Sequence, residues 1–152
     1  MKTENNETTV HEVEIHYKRP LVDSMTSIKD SKSASQAVRD FANEETLDHK
    51  EFFWAMYLTP MNKILAICEL SKGSTMGTVV NIKEIVQLAL RLNASNVLIC
   101  HNHPSGNLCF SKADIALTKK IKKAVETMDM TLLDHIIITS EGYSSYEDED
   151  IG

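Results

Sequence analysis

The chain has few of the features that mark secreted, membrane-spanning or nucleic-acid-binding proteins. It has three cysteines, and their odd number and irregular spacing favour reduced thiols over a disulfide framework. No apolar run is long enough to cross a bilayer, and the polar N-terminal segment lacks the apolar stretch of a secretory signal. The net charge of −6 disfavours neutralisation of phosphates, so strong direct binding to DNA is not expected. We therefore expect a cytoplasmic protein without a membrane partner.

What is present is the composition of an ordinary folded domain. Hydrophobic residues make up 42% and charged residues 25% of the 152 positions, and this length allows one sizeable core. Residues 1–9 have the character of a frayed tail. Residues 11–17 alternate polar and apolar side chains, which predicts a half-buried edge strand that could pair across a homodimer.

Hydrophobic periodicity predicts that helices and strands alternate along the rest of the chain. Helical spacing, with serines available as caps before the first helix, extends over 33–45, 81–93 and 111–128. Strand-like runs extend over 51–59, 64–71, 96–100 and 131–139, with 143–146 pairing back. A turn over 60–63 makes the first two strands a hairpin. This order predicts an α/β fold with a mixed sheet packed by helices.

The stretch CHNHPSGNLCFSKAD, residues 100–114, concentrates the residues that can carry chemistry. His101 and His103 lie two positions apart at the end of a predicted strand, so their imidazoles point the same way. The Pro-Ser-Gly turn that follows brings the chain back, and Asp114 falls in the first turn of the next helix. Two imidazoles and one carboxylate are a ligand set that a catalytic zinc uses, with the fourth position left for water.

A structural role fits the same residues. A strand-end His-x-His can hydrogen-bond neighbouring loops, and Ser111-x-x-Asp114 is a capping box for the helix. Cys100 points to the opposite side of the strand and Cys109 has no thiol partner nearby, so neither is expected to bind a metal. On spacing alone, both interpretations stand.

The order of these residues resembles the signature of the JAMM (MPN+) metalloprotease superfamily. The matching positions are His101-x-His103-Pro104 and then Ser111-x-x-Asp114. This resemblance implies that His101, His103 and Asp114 bind one zinc ion per chain. It also implies that Ser111 lies beside the oxyanion of the reaction.

A longer set of matches resembles the RadC-like JAB domain of bacteria. The matches outside the motif lie at 71–73, 89–94, 133–138 and 143–144. The resemblance extends from about residue 28 to the end of the chain, so residues 1–27 are assigned to a tail with an edge strand and 28–152 to a metal-binding domain. The implied architecture is that of JAB/MPN and cytidine-deaminase-like proteins.

The resemblance also implies an upstream glutamate that acts as general acid and base. Glu51 directly precedes an apolar strand and matches this position, whereas Glu44 and Glu45 fall at the end of a predicted helix. Glu51 is therefore the predicted proton carrier. His135 also matches a family position, and we expect it either to support the metal ligands without binding the metal itself or to pack in the core.

The implied function is that of a zinc metallopeptidase that cleaves an amide or isopeptide bond in a peptide or isopeptide-linked protein. The alternative is a non-catalytic accessory domain in DNA repair or mobile-element biology, because RadC-like proteins carry a DNA-repair label. The acidity of the chain disfavours this alternative. A third hypothesis is a metal-binding domain that has lost its activity.

Overall fold

A computed structural model describes residues 10–72 and 80–151. The strands are β1 (Phe52–Leu58), β2 (Ile64–Lys72), β3 (Asn96–Asn102), β4 (Thr131–Ile138) and β5 (Tyr143–Ser145). The α-helices are α1 (Ser31–Phe41), α2 (Ile82–Arg91) and α3 (Lys112–Thr127), and short 3-10 turns cover Val22–Ser24 and Glu44–Thr46. The sheet order is β2-β1-β3-β4-β5, in which β3 and β4 are parallel and the other neighbours are antiparallel. The predicted α/β fold with a mixed sheet is confirmed.

Side chains that cap the helices determine where each helix begins. Helix α2 follows Asn81, whose Oδ1 accepts a hydrogen bond from Glu84 N at 3.3 Å, as the sequence predicts. Helix α1 begins two residues earlier than expected, because Asp30 rather than a serine is its N-cap. Asp30 Oδ1 accepts from Ser33 N at 2.7 Å, and Ser33 Oγ accepts from Asp30 N at 3.1 Å. Within the described ranges, no helix has both the length and the apolar character needed to cross a membrane.

The edge strand predicted over residues 11–17 is wrong. Residues 10–21 have neither helix nor strand, and their apolar side chains are exposed, with Val13 at 87% and Ile15 at 74%. Alternation alone does not make a strand, because a strand needs a neighbouring backbone to accept and donate its hydrogen bonds. Residues 1–9 lie outside the described residues. The homodimer that this strand could have joined stays a prediction.

The core lies on both faces of β1, whose seven residues are all buried. Trp54, Met56 and Leu58 face one way, toward Val38 of α1, in one apolar cluster. The alternate residues Phe53, Ala55 and Tyr57 belong to a second cluster, with residues of α2 and α3. Helices therefore cover the sheet on both sides, and β1 and β3 lie in its interior.

Helix α3 buries a narrower stripe than its sequence pattern indicates. Its fully buried residues are Thr118, Ile121 and Val125, which follow the spacing of one helix face. Ala116 and Met128 are apolar and lie within the predicted helix 111–128, but both are exposed, because Ala116 lies off this stripe and Met128 follows the last turn. A polar threonine thus occupies the core-facing position nearest the start of the helix.

Replacing Ile121 with Ala is expected to lower the free energy of unfolding by about 2–5 kcal/mol, because Ile121 is 0% exposed and its loss leaves a cavity. Urea unfolding followed by circular dichroism measures the change. The exposed neighbour Lys122→Ala is the control and should stay within about 0.5 kcal/mol of the parent. Equal stability of the two variants would contradict the described core.

Candidate metal site

The end of β3 brings two histidines to one point. The strand continues two residues beyond the predicted end at Cys100, so His101 belongs to it and His103 follows directly. Backbone pairing continues there, because His103 N donates to Ile138 O at 3.2 Å. The Nε2 atoms of His101 and His103 lie 2.9 Å apart, and His101 is only 2% exposed.

Asp114 completes the cluster from the first turn of α3. Its Oδ1 lies 3.3 Å from His101 Nε2, and its Oδ2 lies 3.3 Å from His103 Nε2. The capping box is present as well: Ser111 Oγ accepts from Asp114 N at 3.0 Å, and Asp114 Oδ2 accepts from Ser111 N at 2.9 Å. A carboxylate has about four acceptor positions. Asp114 therefore completes the capping box and contacts both histidines at once, although the sequence alone left these two roles as alternatives.

The pairing of β1 with β3 determines the position of Glu51. The two strands are antiparallel, and Phe53 pairs with His101. When this register is extended just beyond the two strands, Glu51, directly before β1, falls opposite His103, directly after β3. One carboxylate oxygen of Glu51 and one ring nitrogen of each histidine all lie within 4.8 Å of one another. These three residues form a possible metal-binding triad.

The two other glutamates that sequence reasoning considered lie elsewhere. Glu44 and Glu45 belong to the 3-10 turn Glu44–Thr46, and both are exposed. Glu51 is half-buried at the start of β1. Of the three, Glu51 is the one that the structure brings to the histidines.

Asn102 holds the segment that leads into Glu51, and sequence reasoning missed it. Its side chain points away from the two histidines and is 0% exposed. Its Oδ1 accepts from Phe52 N at 2.6 Å, and its Nδ2 donates to Leu47 O at 2.8 Å and to Lys50 O at 2.6 Å. The backbone is thus fixed on both sides of Glu51. The available signal was an amide between two histidines in an otherwise apolar strand.

Two distances within the cluster match those between ligands of a metal ion. Ligand atoms on a tetrahedral zinc with bonds of about 2.0–2.1 Å lie about 3.3 Å from one another. Both contacts of Asp114 with the imidazoles have this length. His103 Nδ1 contacts the carbonyl of Asn107 at 2.6 Å and must donate, so a neutral His103 presents a lone pair at Nε2. These residues could hold a divalent cation.

The close contacts within the cluster shift the pKa values of His103 and Asp114. Hydrogen bonding to Asp114 raises the pKa of His103, because a proton on its Nε2 is donated to that carboxylate. Burial alone would raise the pKa of Asp114, but hydrogen bonds with His101 and His103 outweigh it and hold that pKa well below its usual range. Asp114 is therefore ionised, which is the form that binds a cation.

Ser111 is bonded to Asp114, the member of the cluster that comes from α3. Its hydroxyl accepts the capping hydrogen bond with a lone pair. Among residues 10–72 and 80–151, the hydroxyl proton has no acceptor. Capping uses an acceptor and stabilisation of an oxyanion uses a donor, so one hydroxyl can do both.

The fold and this cluster define a class: an α/β domain of the JAB/MPN kind, in which imidazoles from a strand end and a carboxylate from the next helix converge. The family model described as the RadC-like JAB domain matches residues 28–151, and the chain belongs to this family.

Several relatives share most of this chain. A UPF0758 protein of Flavobacterium johnsoniae is 42% identical over 127 residues, which is 84% of this chain and 54% of the relative. A UPF0758 protein of Haemophilus ducreyi is 33% identical over 87% of this chain and 59% of its own length. One of Pseudomonas fluorescens is 41% identical over 68% of this chain and 46% of its own length. The chain thus spans about half the length of these relatives.

Asn102→Ala is expected to lower the free energy of unfolding by more than about 2 kcal/mol, because it removes the partners of one backbone N–H and two carbonyls in a buried place. The exposed Asn43, which caps a short 3-10 turn, provides the matched control, and Asn43→Ala should cost about 1 kcal/mol or less. Urea unfolding compares them. If Asn102→Ala were as stable as Asn43→Ala, the three hydrogen bonds of Asn102 would contribute little to stability.

Proposed function

We propose that this chain is a zinc-dependent hydrolase that cleaves an amide or isopeptide bond. The observation that carries this proposal is the convergence of His101, His103 and Asp114 at contacts of 2.9–3.3 Å, with Glu51 beside them. Three protein ligands leave one position of a tetrahedral ion open, which is the property of a catalytic rather than a structural zinc site.

The donor set suits zinc, which accepts imidazole nitrogen and carboxylate oxygen in one site. When bound, zinc would supply a water whose pKa is lowered to about 7 and a Lewis acid for the carbonyl of the scissile bond. The protein residues would have to carry the proton and stabilise the charge that develops on the carbonyl oxygen.

Asp114 and Glu51 receive different roles in this proposal. Each oxygen of Asp114 lies 3.3 Å from one imidazole nitrogen and the carboxylate is held by Ser111 N, whereas one oxygen of Glu51 lies within 4.8 Å of the two imidazoles. We therefore assign Asp114 as the third ligand. Glu51 accepts a proton from the attacking water and returns it to the leaving nitrogen, so that the amide breaks into a carboxylic acid and an amine.

Ser111 is proposed to donate a hydrogen bond from its hydroxyl to the oxyanion that forms when water adds to the carbonyl. Its position as N-cap of α3 supports this role, because the N-terminus of a helix carries partial positive charge. The substrate is proposed to be a peptide or an isopeptide-linked protein, since both offer the same carbonyl and leaving nitrogen. The acidic chain does not favour DNA as a ligand.

Purified protein is expected to hold about one zinc ion per chain, and His103→Ala and Asp114→Ala should each lower zinc affinity at least about 100-fold, because each removes one of three ligands. Metal analysis after dialysis against a weak chelator measures the retained zinc. His11→Ala is the matched control, because His11 is exposed in the segment without regular structure. Full zinc retention in both ligand variants would refute the proposed site.

Glu51→Gln is expected to keep its zinc and to hydrolyse at least about 100-fold more slowly than the parent, because an amide cannot accept the proton of the water. Turnover of a set of peptide amides and isopeptide-linked substrates by the zinc-loaded protein measures the loss. The exposed Glu44→Gln is the control and should retain the parent rate. A zinc-loaded parent that hydrolyses none of these substrates but binds DNA in a strongly salt-dependent manner would favour the accessory role.

A further inference from the structure

We infer that Thr118 and His135 are positioning residues that fix the tautomer of His101 and thereby hold its Nε2 atom ready for a metal ion. This inference rests on the metal-binding part of the proposed function. It concerns a chain of hydrogen bonds that starts on the backbone of one proposed ligand, Asp114, and ends on the ring of another, His101.

The first step follows from the single proton of the Thr118 hydroxyl. Thr118 lies one turn after Asp114 on α3, and its Oγ1 is 2.7 Å from the carbonyl oxygen of Asp114. A carbonyl can only accept, so the hydroxyl proton goes there. Thr118 Oγ1 also lies 2.6 Å from His135 Nδ1. Because the hydroxyl has no second proton, His135 Nδ1 must carry the hydrogen and donate it.

The second step follows from the neutral state of His135. Its side chain is 0% exposed, and the rings of Phe53 and Phe110 lie against it in edge-on contacts. Its ring nitrogens contact Thr118 Oγ1 and His101 Nδ1, neither of which is a carboxylate, so a protonated ring would be an unpaired buried charge and the ring is neutral. A neutral imidazole that carries its hydrogen on Nδ1 has a lone pair on Nε2. That lone pair lies 2.7 Å from His101 Nδ1.

The third step determines which ring nitrogen of His101 carries the hydrogen. His101 Nδ1 must donate to His135 Nε2, so a neutral His101 has its lone pair on Nε2. This lone pair faces His103 Nε2 and Asp114 Oδ1. If these hydrogen bonds ran in the opposite direction, the hydrogen of His101 would be on Nε2 and would block a metal ion. The Thr118 hydroxyl therefore selects the tautomer that can bind one.

An irregularity in β4 brings His135 to the correct face. Val97 pairs with Leu132, but the next residue, Leu98, pairs with Asp134, so Leu133 is an extra residue in β4. If Leu133 were instead paired with Leu98 in regular alternation, Asp134 and not His135 would lie on the face of the site. The extra residue exchanges the two, and His135 then pairs with Ile99, two residues before His101.

The test compares two substitutions of one side chain. Thr118→Val keeps the shape but removes the hydroxyl, and we expect zinc affinity to fall about 10- to 100-fold. Thr118→Ser keeps the hydroxyl and should stay within about threefold of the parent. Competition with a chromophoric chelator at fixed pH measures the affinity. Thr127→Val is the matched control, because Thr127 donates to Lys123 O at the same spacing on an exposed part of α3.

Nitrogen NMR of the imidazole rings provides a second readout that needs neither activity nor metal. The parent and Thr118→Ser should show His135 with its hydrogen on Nδ1, and Thr118→Val should show a shift of that hydrogen toward Nε2. Failure of the parent to bind zinc would refute the proposed function, and the NMR comparison would still decide the tautomer. If the parent binds zinc and Thr118→Val has the same affinity and the same His135 tautomer, the inference is overturned.

Discussion

The alternation of side chains at the end of β3 is the constraint on which the rest of the site depends. His101 and His103 must point to one face of the sheet, so Asn102 must point to the other. On the first face the histidines meet α3 and Asp114. On the second face Asn102 binds the backbone on both sides of Glu51. Three consecutive residues thus place the histidines and also fix the segment that carries the proposed base.

Asp114 links the stability of a helix to the chemistry of the site. Its carboxylate completes the capping box that begins α3, and its carbonyl accepts from Thr118 one turn later. The same carboxylate lies against both imidazoles. A substitution at Asp114 therefore removes a cap as well as a proposed ligand. An effect of Asp114→Ala on zinc binding has to be compared with His103→Ala, which leaves the helix start intact.

The sequence predicts those parts of the molecule that depend on local patterns. Periodicity locates the helices and strands, Ser111 and Asp114 are recognisable as a cap, and the order of the motif indicates which side chains converge. The extra residue Leu133 in β4 is not predictable in this way, because it depends on the register between β4 and its neighbour β3. The role of Thr118 depends on that same register, and sequence reasoning missed it.

Two expectations from the sequence, the strand over 11–17 and the serine cap of α1, differ from the structure for separate reasons. Residues 11–17 have the alternation of a strand, but alternation reports only which side chains could be buried, and strand formation also requires a partner backbone. Serines precede the apolar stripe and predict the cap of α1, whereas Asp30, directly before Ser31, offers a charged acceptor. The missing partner of residues 11–17 lies outside the local pattern, whereas at α1 the candidate caps are all local and the hydrogen bonds between Asp30 and Ser33 decide between them.

The different hydrogen bonding of the proposed ligands and of the proposed base supports their different roles. His101 is held by His135, His103 by the carbonyl of Asn107, and the Asp114 carboxylate by the backbone of Ser111. In the part of the chain that the structure describes, the carboxylate of Glu51 has no hydrogen-bond partner, although the backbone beside it is fixed. Ligands lose least entropy on binding a metal when they are already held in place. A proton carrier must instead reach first the water and then the leaving nitrogen, so an anchored backbone with a free carboxylate suits Glu51 for this task.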